Sequence, residues 1–150
     1  MKQPTIENRQ AKHQYTVLET VEVGVVLRGS EVKSVREGRL TLTEAFAQVE
    51  KGELFLHNAH IDEYEKANQF NHRSLRMRKL LAHKTEISKL QVQSTQKGHS
   101  LIPLKAYFKD SYLKLLLGIC QGKDKRDKRQ DKAKQEAKIQ ISRILKSQLK

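Results

Sequence analysis

The sequence predicts a mainly β protein: a small closed antiparallel barrel with short flanking helices and a basic C-terminal tail. Three observations carry this prediction. Residues 15–27 are rich in β-branched side chains, the composition of a strand. Two stretches, 102–108 and 113–119, place an apolar residue at every second position, the period of a half-buried strand, with only Lys109-Asp110-Ser111 between them. Beyond Gly122 there is no Gly or Pro, and charge dominates. Lys123 to Lys150 holds 11 Lys+Arg and 4 Asp+Glu, which is +7 of the chain's net +13.

A chain of 150 residues is expected to form one domain with a tail at most. Residues 1–7 read as a loose leader, 8–121 as the body and 122–150 as the tail. Aromatic residues are scarce at 5% and Trp is absent, so the core must rest on Leu, Ile and Val. The single Cys120 excludes an intrachain disulfide and a Cys-based zinc finger, and its apolar surroundings suit a small core residue. Met1 to Gln10 shows no apolar signal region, and no apolar run approaches the roughly 20 residues of a membrane span. A cytoplasmic protein is expected. Net charge of this size favours a phosphate backbone as partner, because each neutralised phosphate releases condensed counterions, with an anionic membrane surface second.

Along the chain, Asn8 to His13 is polar and basic. Tyr15 to Leu27 is a strand that Gly24 interrupts, at a bulge or at the close approach of another backbone. Ser30 can cap a short helix, Glu31 puts negative charge at its positive end, and Gly38 is placed to stop it. Val32 and Val35 face inward there, and Lys33 and Arg36 share an outer edge. Thr41 to Glu44 has capping-box spacing, but the alternation that follows is a strand's, with Ala45, Ala47 and Val49 on one face. Lys51-Gly52 then turns it into Glu53 to His57, a hairpin. Ile61 to Ser74 reads as a long surface loop. Thr85 to Gln96 reads as a helix with Ile87, Leu90 and Gln91 at helical spacing. In the strands that close the body, Ile102, Leu104, Ala106 and Phe108 are assigned one face, and Leu113, Leu115, Leu117 and Ile119 one face of the next. Lys105 and Lys114 point to solvent. In the tail, Ala133, Ala137, Ile141, Ile144 or Leu145, and Leu149 form a stripe at helical period among lysines, the pattern of an arm that is disordered when free and helical against an acidic surface.

Several of these stretches, in order, resemble the family of SsrA-binding proteins, also called small protein B. Asn8-Arg9-x-Ala11-Lys12-His13-x-Tyr15 is similar to the family's N-terminal signature, and Gly29-x-Glu31-Val32-Lys33-Ser34 to its helix motif. Phe70-Asn71-His72 with Arg76-x-Arg78-Lys79-Leu80-Leu81 resembles its central motif. Gly98 with Leu101 to Leu104, and Gly122-Lys123 with Asp127-Lys128-Arg129, resemble its closing motifs. The resemblance implies a barrel of the oligonucleotide-binding type, no enzymatic activity and no cofactor. It implies binding to the tRNA-like domain of transfer-messenger RNA and delivery of that RNA to stalled ribosomes for trans-translation. The tail would enter the 16S rRNA decoding region and the empty message channel. Elongation factor Tu and alanyl-tRNA synthetase would be partners through the RNA. Four positions depart from the family pattern: Gln10 where a basic residue is frequent, Met77 where Thr is usual, Asp124 where Lys is usual, and Arg126 where a His or Tyr ring is common.

The residues expected to meet RNA follow from that resemblance and from their chemistry. Asn8, Arg9, Lys12 and His13 can contact phosphate or stack. Lys33, Ser34 and Arg36 add donors from the short helix. Arg76, Arg78 and Lys79 form a second basic cluster, beside Leu81, which can pack on a base or sugar. Glu22 falls on the family's RNA-facing surface. In the tail, Gly122, Lys123, Arg126, Asp127, Lys128 and Arg129 are the ribosome-binding candidates.

Other classes fit less well. His57 and His60 lie near Asp62, Glu63 and Glu65, but an offset of three on a strand puts the two rings on opposite faces, which disfavours a metal site. A small RNA-processing nuclease would need a carboxylate cluster for Mg²⁺. A membrane-surface protein would need a broader apolar stripe than the tail provides.

Overall fold

The structure is a computed structural model that describes residues 3–65 and 71–123. Its elements are β1 (Ile6–Glu7), α1 (Arg9–Gln14), β2 (Tyr15–Val25), α2 (Gly29–Arg36), β3 (Leu40–Thr41), β4 (Phe46–Glu50), β5 (Glu53–His57), β6 (His60–Ile61), β7 (Arg78–Leu81), α3 (Lys84–Ser94), β8 (His99–Lys109) and β9 (Tyr112–Gly122). All strand pairings are antiparallel. The order β8-β4-β5-β7-β2-β9 returns to β8, so six strands form a ring, with β1 added outside β8. The mainly β architecture with short helices is the one the sequence predicts.

The ring is uneven. Strands β2, β8 and β9 are 11 residues each and pair along nearly their whole lengths. By contrast β4 meets β8 only where Ala47 faces Leu101. Inside lie Val23, Leu54, Leu56, Leu80, Leu101, Leu115 and Leu117, all buried, joined by Val35 of α2 and Leu90 of α3. Leu113, Leu115, Leu117 and Ile119 line one face, as the alternation predicts.

The β4–β5 hairpin has Glu50 facing Glu53 across the two-residue turn, with Lys51 at φ 50° and Gly52 at φ 78°. Two consecutive positive φ values match the right-handed twist of the flanking strands, which is why Gly sits at the second position. Helix α2 ends at Gly38, φ 80°, as its sequence predicts. Its start differs. Ser30 makes no cap; its Oγ lies 2.9 Å from Nδ1 of the buried His72, and Glu31 accepts from the Arg28 backbone N–H instead.

Two further expectations are corrected, and two stretches without an expected element take shape as a helix and a strand. The leader is not loose throughout, because Ile6 and Glu7 pair with Ala106 and Lys105. The polar stretch after Asn8 is a helix, α1, anchored by buried Ala11 against Ile102 and Cys120. Residues 78–81 of the basic run form strand β7. Finally, Ile102 and Leu104 do not share a face with Ala106 and Phe108. The β8–β9 register slips between Pro103 and Lys105, and one extra residue reverses the alternation. Ile102 and Leu104 therefore pack with Ala11 outside the ring, while Ala106 and Phe108 face its core.

Gly122 belongs to β9, facing Tyr15, and Lys123 is also tied to α1: its backbone N–H donates to Gln14 O (3.0 Å) and its Nζ to Lys12 O (2.9 Å). The tail stripe and the candidates Arg126, Asp127, Lys128 and Arg129 lie outside the described residues, as does Phe70.

Candidate nucleic-acid interface

The basic motif 76–81 divides by its strand geometry. Alternation along β7 turns Arg78 and Leu80 inward and Lys79 and Leu81 outward. Arg78 is therefore buried, with no part of its side chain exposed. Its Nε donates to Glu31 Oε2 at 2.6 Å, and its Nη atoms donate to the carbonyls of Ala59, Arg76, Arg73 and Ser74. Arg76 grips the same carboxylate, Nη2 to Oε1 at 2.6 Å. Burial works against the charge on Glu31, but donors from Arg76, Arg28 and Arg78 outweigh it and hold the carboxyl below its ordinary value. One carboxylate from the first turn of α2 thus gathers two arginines from 76–78. The loop before them is pinned as well. Asn71 exchanges two hydrogen bonds with the Tyr64 backbone, and Nε2 of His72 donates to Ile61 O at 2.9 Å.

Two other expected contacts are also internal. Asn8 is buried, and its Nδ2 donates to Leu42 O and Pro103 O. Ser34 is buried, and its hydroxyl donates to Asp62 O at 2.7 Å. As surface donors to RNA, Asn8, Ser34 and Arg78 are therefore corrected. A motif read as a cation supply spends these side chains on joining chain segments, and Arg76 is mostly committed in the same way.

The remaining candidates are exposed in three groups. At one end, α1 presents Arg9, Lys12 and His13 beside Lys123. On α2, Lys33 lies over the Tyr64 ring and Arg36 over the Phe108 ring, 5.6 and 5.9 Å from the centroids. The third group centres on Glu22 and Leu81. Strand β2 leaves β9 for β7 at Gly24, which faces Lys114 on one side and Leu81 on the other. A Cβ on Gly24 would make only ordinary contacts, 3.4 Å from Leu81 Cβ and 3.8 Å from Lys114 Nζ, so the close backbone approach expected from the sequence is not found here, and the missing side chain simply leaves the floor open. Around it lies an open depression of about 390 Å³ lined by Glu22, Gly24, Leu81, Ala82, His83, Glu86 and Lys114. Leu81 is 54% exposed. Tyr15 and Gly24 are nine residues apart on one strand, about 30 Å, so the α1 group and this depression occupy opposite ends of β2.

Glu22 is held. The Tyr107 hydroxyl donates to its Oε2, and Lys109 Nζ lies 3.7 Å from Oε1. The Tyr107 hydrogen bond, aided by Lys109 and Lys114 against desolvation, keeps the Glu22 carboxyl below its ordinary value, and the same bond pushes the Tyr107 phenol up to about 12. An anion fixed beside an exposed Leu and a Lys offers a directed acceptor for a base amino group, an apolar seat and a phosphate contact. The link of Tyr107 and Lys109 to Glu22 escapes the sequence because it crosses 85 residues for Tyr107 and 87 for Lys109.

His57 stacks on Phe46 with centroids 5.1 Å apart, and His60 Nδ1 lies 3.1 Å from Asp62. Among the described residues, no three His, Cys, Asp or Glu side chains are grouped to hold a metal ion, and no helix is long and apolar enough to cross a membrane.

The family model described as SmpB protein matches residues 5–147. An SsrA-binding protein of Listeria welshimeri is 50% identical over 140 residues, covering 93% of this chain and 91% of its own. One from Anoxybacillus flavithermus is 49% identical over 144 residues, covering 96% and 94%. A chain of the solved structure "tmRNA-SmpB: a journey to the center of the bacterial ribosome" matches with TM-score 0.70 and 48% identity, over 81% of this chain and 86% of that one.

Proposed function

The chain belongs to the SmpB protein family, and from that premise we propose that its body binds the tRNA-like domain of transfer-messenger RNA and delivers it to stalled ribosomes in trans-translation. The observation that carries the reading is the depression between β2, β7 and β9, where Glu22, Leu81 and Lys114 converge on a glycine floor. Structured RNA is recognised by shape, backbone and unstacked bases, and this site offers one partner for each. The α2 edge, Lys33 and Arg36, and the exposed Lys79 widen the surface. Arg9, Lys12 and His13 lie at the far end of β2, a second exposed basic group that can contact phosphate or stack on bases of the RNA.

In this reading the tail beyond Lys123 engages the 16S rRNA decoding region and the empty message channel, with Gly122 and Lys123 at its root in the body and Arg126, Asp127, Lys128 and Arg129 next in sequence. The protein acts by binding and not by catalysis, in the cytoplasm. Elongation factor Tu and alanyl-tRNA synthetase meet it through the RNA. The test is affinity for the tRNA-like domain in Leu81→Ala and Glu22→Gln. Both are expected to weaken binding about 5- to 100-fold with the fold intact, as loss of a base contact does. Wild-type affinity in both would contradict the assignment.

A further inference from the structure

The outer face of the β8–β9 hairpin is a checkerboard of rings and cations. Beyond the bulge, Lys105, Tyr107 and Lys109 point outward from β8, because Ala106 and Phe108 face the core. On β9, Tyr112 and Lys114 point outward between buried Leu113 and Leu115. The register sets Tyr107 opposite Lys114 and Lys109 opposite Tyr112, so each ring faces a cation across the ladder. Lys105 Nζ also lies 5.6 Å from the Tyr107 ring centroid. Tyr112 is 73% exposed, the most exposed large apolar side chain among the described residues. The face is continuous with the depression, since Lys114 belongs to both and Glu22 ties Tyr107 and Lys109 to its rim.

We propose that this hairpin face is a stacking platform for unpaired nucleotides of the bound RNA, with Tyr112 as the open ring and Lys105, Lys109 and Lys114 following the phosphates. Alternating aromatic and cationic side chains on a rigid two-stranded ribbon are what single-stranded nucleic acid requires. Every base has a π face, and every linkage carries a charge. From Lys105 to Lys109 the rows run about 14 Å. Glu22 is the one carboxylate paired within the face, and Tyr107 and Lys109 already engage it. The platform rests on the proposed RNA-binding function and extends it, because unpaired nucleotides leaving the depression pass directly onto the hairpin.

The chain has no Trp, so Tyr112→Trp in the full-length protein gives a single tryptophan, selectively excited over the remaining tyrosines, at the proposed contact. The tRNA-like RNA is expected to quench its emission, and a fully paired duplex of equal length is not. Tyr112→Ala should weaken binding of the tRNA-like RNA about 5- to 100-fold without changing the salt slope, and Tyr112→Phe should restore it. Lys109→Gln should instead lower the salt slope by about 1. Leu81→Ala is the control for the depression. If Leu81→Ala weakens binding while Tyr112→Ala binds normally and Tyr112→Trp is not quenched, the platform is wrong, the depression stands, and the face is left to a protein partner. If Leu81→Ala is also silent, the RNA-binding reading itself has failed.

Discussion

Glu31 Oε2 accepts a hydrogen bond from Arg78 Nε at 2.6 Å, and neither side chain has any exposed surface. Arg76 closes on the other oxygen. This ion triad fastens α2, the loop before residue 76 and β7 to one another, and so fixes the edge from which Lys33 and Arg36 project. Removing one partner of a buried pair strands the other charge in a low dielectric, at a cost of about 3–5 kcal/mol. Glu31→Gln is expected to lose stability in that range in urea unfolding. Glu53→Gln, which breaks the exposed pair with Lys79, should lose about 0–1 kcal/mol.

The same carboxylate makes the fold sensitive to acid. The arginine donors hold its folded pKa below the ordinary value of 4.5, so between the two values the unfolded chain binds more protons than the native one. Stability therefore rises with pH in this window. Its contribution is whole above about 4.5 and is lost as pH falls through the depressed native value. Unfolding midpoints measured from pH 6 down to pH 3 should fall more steeply for the wild type than for Glu31→Gln.

Gly118 lies under the bulge of β8. A Cβ there would stand 2.8 Å from Leu104 Cδ1 and 3.1 Å from Cys120 Sγ. Leu104 can rotate only by giving up its packing beside Ala11 and Ile102. Gly118→Ala should cost about 1–3 kcal/mol, the usual penalty of overpacking, visible as a lower Tm.

Cys120 is fully buried, and burial pushes its thiol up to about 11. The thiolate is the reactive form, so in the folded protein at pH 8 only about one part in a thousand is ionised. Alkylation should follow unfolding: negligible in buffer, and rising with urea in step with loss of the β signal.

Much of the fold was legible because it rests on local periodicity. The run from Tyr15, the Lys51-Gly52 turn and the leucines of β9 each carry their signal within a few residues. Leu104 shows the limit. Apolar alternation continues through 102–108, but one bulged residue reverses the faces, and nothing in a period of two reveals that. Arg78 shows another. Four basic or bulky residues in a row read as a surface cluster, and Arg78 was counted with its neighbours. Its alternation with Leu80 was available, but its partner Glu31 lies 47 residues away. Of the candidate interface, Glu22 and Leu81 were singled out by resemblance. What brings them together is the change of partner by β2 at Gly24, a tertiary event. Tyr107 and Tyr112 were missed because a turn with flanking rings looks like any hairpin.

The central claim is that the body reads the RNA and the tail is left for the ribosome. The most direct test is binding to the tRNA-like domain of transfer-messenger RNA and to ordinary alanine tRNA over a salt series. Full-length protein would be compared with a chain ending at Lys123, the last described residue, which is tied to α1. Both forms are expected to prefer the first RNA by a similar factor at every salt concentration. Equal binding of the two RNAs, lost with the tail and with salt, would contradict it and leave only counterion release.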